Sequence, residues 1–125
     1  RVLAEADIIS LHCPQTPETT GMVNKHFINQ LKPNTIIINT ARGPLINNDD
    51  LLDGLRNGKI AGAILDVLDE EPPSPTHPLL AAQLSNLKIT AHIAWASMQA
   101  QQRLIEILAT NISCFKRNKH QNILN

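Results

Sequence analysis

At 125 residues, with 42% apolar and 18% charged side chains, the chain has the composition of one ordinary globular domain able to bury a core. Eleven basic side chains balance eleven acidic ones, and no Lys/Arg cluster is interleaved with aromatics, so the electrostatic signature of a nucleic-acid binder is missing. No apolar run approaches the ~20 residues that would cross a bilayer, and Cys13 and Cys114 fit no disulfide, metal-ligand or redox spacing, which points to reduced thiols and a cytoplasmic protein.

The chain opens on Arg1 rather than methionine, inside what reads as the end of a helix (Val2-Leu3-Ala4-Glu5-Ala6), and no signal-peptide pattern precedes the first strand. Such a beginning reads as that of a fragment. Asp7 to Pro14 is the first strand, largely apolar and stopped by a proline that has no N–H for a ladder. A loop rich in proline and threonine runs from Pro14 to Gly21. Asn24 can cap a short helix with Phe27, Ile28 and Leu31 on one face, and Lys32-Pro33 ends it.

The second strand is the β-branched run from Thr35 to Asn39, which ends in Thr40-Ala41-Arg42-Gly43. Its continuous apolar character predicts burial on both faces, as in a parallel sheet. Asn47-Asn48-Asp49-Asp50 then offers capping side chains and first-turn carboxylates to a helix carrying Leu51, Leu52 and Leu55, closed by Asn57-Gly58. Gly62 to Leu68 is the third strand, followed by an acidic, proline-rich loop from Asp69 to Pro78, and Leu87 to His92 is a short fourth strand. From Ser97 to Lys116 a longer helix places Leu104, Leu108, Ile112 and Phe115 at helical spacing, which predicts that one face packs on the sheet. The polar tail from Arg117 to Asn125 has no assigned element. Strands alternating with helices make βαβ units, hence a parallel α/β sheet with right-handed crossovers.

Parallel strands bring their carboxyl ends to one edge, where open α/β sheets bind ligands. Arg42 follows the second strand, Asp66 and the Asp69-Glu70-Glu71 run follow the third, and His92 ends the fourth, so these groups are expected to converge on one crevice. Arg42 can hold an anionic substrate there, or cap a helix or pair at the surface. A histidine beside a carboxylate has its charged form stabilised and is suited to moving a proton. His12 could line the same crevice but, with no partner evident, reads as packing, and His26, His77 and His120 read as exposed. Cys13 reads as a small apolar filler rather than a nucleophile, and Trp95 as a pocket wall or as core.

Four phrases carry a family resemblance: Leu11-His12-Cys13-Pro14 with Thr16, Glu18 and Thr19; Asn39-Thr40-Ala41-Arg42-Gly43; Leu65-Asp66-Val67 with Glu71-Pro72-Pro73; and Thr90-Ala91-His92-Ile93-Ala94-Trp95. In this order and spacing they resemble the D-isomer-specific 2-hydroxyacid dehydrogenases from Asp7 to about Phe115, with His92 to Ser97 most similar to the glycerate dehydrogenase (hydroxypyruvate reductase) branch.

The resemblance implies a Rossmann-like fold and an oxidoreductase that interconverts a small 2-oxo acid and its D-2-hydroxy acid with NAD or NADP. It implies that Arg42 holds the substrate carboxylate and carbonyl, that His92 is the acid/base and that Glu71 orients it. By the same resemblance, Asp66 bonds the nicotinamide carboxamide, while Cys13, Pro14, Thr19, Thr40 and Ala41 line the nicotinamide and its ribose. The parent protein is then expected to be a homodimer acting on small molecules, with residues 1–116 as part of the dinucleotide-binding domain and 117–125 as a tail.

Pro44 and Asn47-Asn48 depart from the family pattern, and no Gly-x-Gly-x-x-Gly turn is present. The chain therefore reads as the second half of the dinucleotide-binding domain. Relatives that act as dinucleotide-sensing transcriptional corepressors share much of the same Arg, Glu and His set, so a binding protein is the alternative, and an inactive truncated piece a third.

Overall fold

A computed structural model describes residues 2–123. Two compact units divide at His92/Ile93. In the first, the order is α1 (Val2–Glu5), β1 (Ile8–Leu11), α2 (Lys25–Asn29), β2 (Ile36–Asn39), a 3-10 turn (Gly43–Leu45), α3 (Asn48–Arg56), β3 (Gly62–Leu65), α4 (Pro78–Ala81) and β4 (Leu87–Ile89). The second holds α5 (Met98–Lys116).

The four strands form one parallel sheet in the order β1-β2-β3-β4. Register sets two kinds of rows across it. Ile9, Ile37, Ala63 and Leu87 form one row, and Leu11, Asn39, Leu65 and Ile89 the next on the same face. That face is buried or half-buried and meets the core residues Ile28, Leu51, Leu52, Leu55 and Ile60. The opposite face is less covered: Ile8 is 57% and Ile64 43% exposed. Sequential strand order explains the asymmetry, because right-handed crossovers that all step the same way pass over the same face. Burial of the second strand on both faces is thus corrected, since Ile37 and Asn39 are buried and Ile36 and Ile38 only half-buried.

Local chemistry sets the element ends. Asn24 accepts the Phe27 N–H at 3.1 Å and Asn47 the Asp50 N–H at 3.1 Å, each satisfying a first-turn donor. Gly58, at φ +71°, lies in the left-handed region just beyond α3. The strands are shorter than the apolar runs, and β3 ends at Leu65, which leaves Asp66 to Leu68 as the start of the following loop.

Ser97 caps α5 by accepting the Ala100 N–H at 3.2 Å. No residue of α5 is buried, and Leu104, Leu108, Ile112 and Phe115 are all exposed. Trp95 is 60% exposed and is not core. Among the described residues no helix is long and apolar enough to cross a membrane.

Candidate active site

The carboxyl ends of the strands deliver the ionisable groups to two cavities rather than to one crevice. One, of about 550 Å³, is lined by His12, Cys13, Pro14, Gln15, Ala41 and Arg42. The other, of about 470 Å³, includes Asp66, Leu68, Glu71, Pro73, Thr90 and His92 in its lining. Thr19 and Thr40 line neither of these cavities. The Thr19 hydroxyl instead donates to the Pro14 carbonyl at 2.8 Å and receives the Thr16 N–H at 2.7 Å, which ties the loop after β1 into a turn.

In the second cavity His92 and Glu71 form an ordered pair. Glu71 is acceptor-only when ionised, so His92 Nδ1–H donates to its Oε2 at 2.7 Å, while the Leu68 backbone N–H donates to Oε1 at 2.9 Å. The bond from His92 and then that from Leu68 hold the Glu71 carboxyl below the usual glutamate range, and together they outweigh the opposing effect of desolvation. Arg42 adds a smaller charge effect in the same direction, so its charge reaches Glu71 from the neighbouring cavity.

His92 itself has φ +55°, a left-handed backbone that costs a residue with a Cβ about 1 kcal/mol. Such strain persists where surrounding contacts dictate it, and here it coincides with the His92–Glu71 bond.

Asp66 is 4% exposed and lies one residue beyond β3, and Thr90 lies one beyond β4. The Leu65–Ile89 register sets the two side by side, and the Thr90 hydroxyl donates to Asp66 Oδ1. Thr90 was not among the expected site residues. The signal was available in its position, two residues before His92 at the end of a strand whose parallel partner ends in an aspartate.

Asn39 was also missed. Fully buried at the end of β2, it donates from Nδ2 to the Arg42 carbonyl at 2.9 Å and accepts the Ala41 N–H at 3.0 Å. A polar residue closing an apolar run before Arg-Gly-Pro is the legible sign of this side-chain turn. Arg42 is exposed and its Nη1 donates to the Ala41 carbonyl at 2.6 Å.

Two histidine readings are corrected. His12 is exposed rather than packed, with Nε2 2.8 Å from the Ser10 hydroxyl, because residues two apart on a strand share a face. His77 is 4% exposed, not solvent-facing. Cys13 is half-buried with its thiol on the Met22 sulfur at 3.7 Å, in keeping with a packing role.

Buried Asp66 and the bonded pair His92–Glu71 lie at the carboxyl edge of a parallel sheet, the edge at which open α/β domains of the nucleotide-binding kind hold their ligands. The model for the "D-isomer specific 2-hydroxyacid dehydrogenase, NAD binding domain" matches residues 1–94. The chain belongs to that family. It is 44% identical over 124 residues to a hydroxypyruvate reductase of Blautia hydrogenotrophica, covering 99% of this chain and 38% of that protein. A glycerate dehydrogenase of Methylorubrum extorquens is 42% identical over 123 residues, 98% of this chain and 39% of its own length. The NAD-complexed D-isomer specific 2-hydroxyacid dehydrogenase of Lactobacillus delbrueckii superposes with a TM-score of 0.84 at 30% identity, over 99% of this chain and 41% of that one. The chain thus spans about two-fifths of the length of the relatives it matches.

Proposed function

We propose that the protein to which this chain belongs reduces a small 2-oxo acid of the hydroxypyruvate or glyoxylate kind to its D-2-hydroxy acid, reversibly, with NAD or NADP. The observation that carries the reading is the His92–Glu71 pair, bonded at 2.7 Å, with the second Glu71 oxygen held by the Leu68 N–H. A carboxylate on Nδ1 sets the ring's orientation, and in this reading Nε2 exchanges a proton with substrate.

The residues present fit the nicotinamide end of a dinucleotide. Asp66 is a buried carboxylate at the end of β3 that accepts the Thr90 hydroxyl, and Cys13, Pro14 and Ala41 line a cavity at the ends of β1 and β2, earlier in the same sheet. Asp66 would accept from the carboxamide, and Cys13, Pro14, Thr19, Thr40 and Ala41 would border the ring and its ribose. When bound, the dinucleotide supplies a hydride equivalent to the substrate carbonyl carbon. His92 gives the carbonyl oxygen its proton and takes it back in the oxidative direction. Glu71 keeps the ring oriented through its bond to Nδ1. Arg42 offers a planar fork of donors to the substrate carboxylate.

Steady-state reduction of hydroxypyruvate and glyoxylate by the full-length protein, with each cofactor, tests this. Arg42→Lys is expected to lower kcat and raise KM, since a lysine cannot reproduce the fork. Unchanged constants would remove Arg42 from the proposed site, and no reduction of any 2-oxo acid would remove the activity.

A further inference from the structure

Asp69 precedes Glu71 by two residues and gathers bonds from two helices. Its Oδ1 accepts from Asn48 Nδ2 at 2.7 Å and from His77 Nε2 at 2.8 Å. Asn48 is the first residue of α3, and His77 caps α4.

His77 is buried, and its Nδ1 accepts the Leu79 backbone N–H at 3.2 Å. A ring nitrogen that accepts carries no proton, so the single N–H of His77 sits on Nε2 and donates to Asp69. Both nitrogens are used, which is the condition under which a buried polar ring is tolerated. Burial raises the Asp69 carboxyl, but the bonds from His77 and Asn48 outweigh it and leave the group below its ordinary value. An acidic loop that would otherwise be solvated and mobile is thereby tied to two helices.

The same segment bears directly on the acid–base pair. Leu68, one residue before Asp69, donates its N–H to Glu71, and Glu71 in turn holds His92. We propose that Asn48, Asp69 and His77 form a positioning network that fixes the segment from Leu68 to Glu71 and so sets the Glu71 carboxylate against His92. The inference rests on the proposed role of that pair. None of the three is assigned contact with substrate; each acts through Glu71.

Two substitutions of His77 separate this role from a structural one. In the full-length protein, His77→Asn keeps an oxygen that can cap α4 but is too short to reach Asp69. His77→Gln keeps an N–H near the position of Nε2 and gives up the cap. Asp69→Ala removes the shared acceptor at an exposed position and serves as the second route should a His77 variant fail to fold. Expected for H77N and D69A are a protein that still folds, with an unfolding temperature lowered by the lost bond, and a kcat/KM measured well below that temperature lowered about 10- to 100-fold, as for a misplaced catalytic group. The NMR signal of the His92 Nδ1–H, which reports its bond to Glu71, is expected to shift or vanish without substrate. H77Q restores activity while losing stability. In an E71Q background neither H77N nor D69A shifts that signal further.

Folded H77N or D69A with an unchanged His92 Nδ1–H signal and unchanged kcat/KM would overturn the network. So would a full further shift in the E71Q background. A wild-type protein that reduces no 2-oxo acid, with variants that still show the shift, would keep the network and sink the functional reading. An active protein without the shift would do the reverse.

Discussion

Gly43 and Leu68 meet backbone to backbone: a Cβ built on Gly43 would lie 1.9 Å from the Leu68 carbonyl carbon and 2.1 Å from its oxygen. The turn that carries Arg42 is therefore seated directly on the loop that carries Glu71. Only a residue without a side chain allows that approach.

Gly43→Ala is expected to force these backbones apart, at a cost of about 3 kcal/mol in unfolding free energy. Activity should fall by more than the lost stability explains, because the shift separates Arg42 from the Glu71 loop. Urea denaturation of the full-length protein beside its steady-state kinetics checks both; a variant as stable as the parent would mean that the approach is not required.

Glu71→Gln removes a charge and keeps the shape. In the proposed reduction His92 gives up a proton while the Glu71 carboxylate holds its Nδ1–H, so the neutral amide is expected to lower kcat/KM by about 100-fold at neutral pH. An unchanged kcat/KM would exclude Glu71 as the orienting carboxylate.

Asp69 and Glu71 both titrate below their ordinary values in the folded protein: in Glu71 the bond from His92 leads, while in Asp69 burial raises the group and the His77 and Asn48 bonds override it. A depressed folded value contributes stability that is present above the unfolded carboxylate value, about pH 4, and lost as pH falls through the folded value. Unfolding midpoints measured from pH 6 down to pH 3 should thus decline, and decline less steeply in Asp69→Asn/Glu71→Gln. Equal slopes would place the acid sensitivity in other carboxylates.

Thr90→Val keeps the shape of the side chain and removes the hydroxyl that donates to buried Asp66. Loss of a hydrogen bond to a charged group predicts about 2 kcal/mol lower stability, with weaker NADH binding by calorimetry if Asp66 meets the carboxamide. Unaltered affinity in a destabilised variant would assign the Thr90–Asp66 bond to folding alone.

Much of this site could be read before folding was considered. The strand that delivers Arg42 follows from an apolar run that stops at polar residues, the end of β3 just before Asp66 does not because Val67 and Leu68 prolong the run, and the helix starts at Asn24 and Asn47 follow from capping chemistry within three residues. Glu71 required the family pattern, since composition alone does not distinguish it from Glu70. His77 was misread because a histidine in a polar loop carries no local sign of burial; its partners, Asp69 and Leu79, are set by how the loop folds back on α3 and α4. His12 was misread for the converse reason: the register places it beyond β1 on an uncovered side.

By itself, then, the sequence determined what is local: which runs are strands, where the helices begin, the parallel α/β class and the residue types at each strand end. These depend on interactions within a few residues, and periodicity and capping report them. The tertiary structure alone decided the one-sided burial of the sheet, the division of the site between two cavities, and the pairings Thr90–Asp66 and Asn48–Asp69–His77, whose single bonds join residues up to twenty-four apart. Those depend on strand order, on register and on the close approach at Gly43, relations between distant segments that only the packed chain contains.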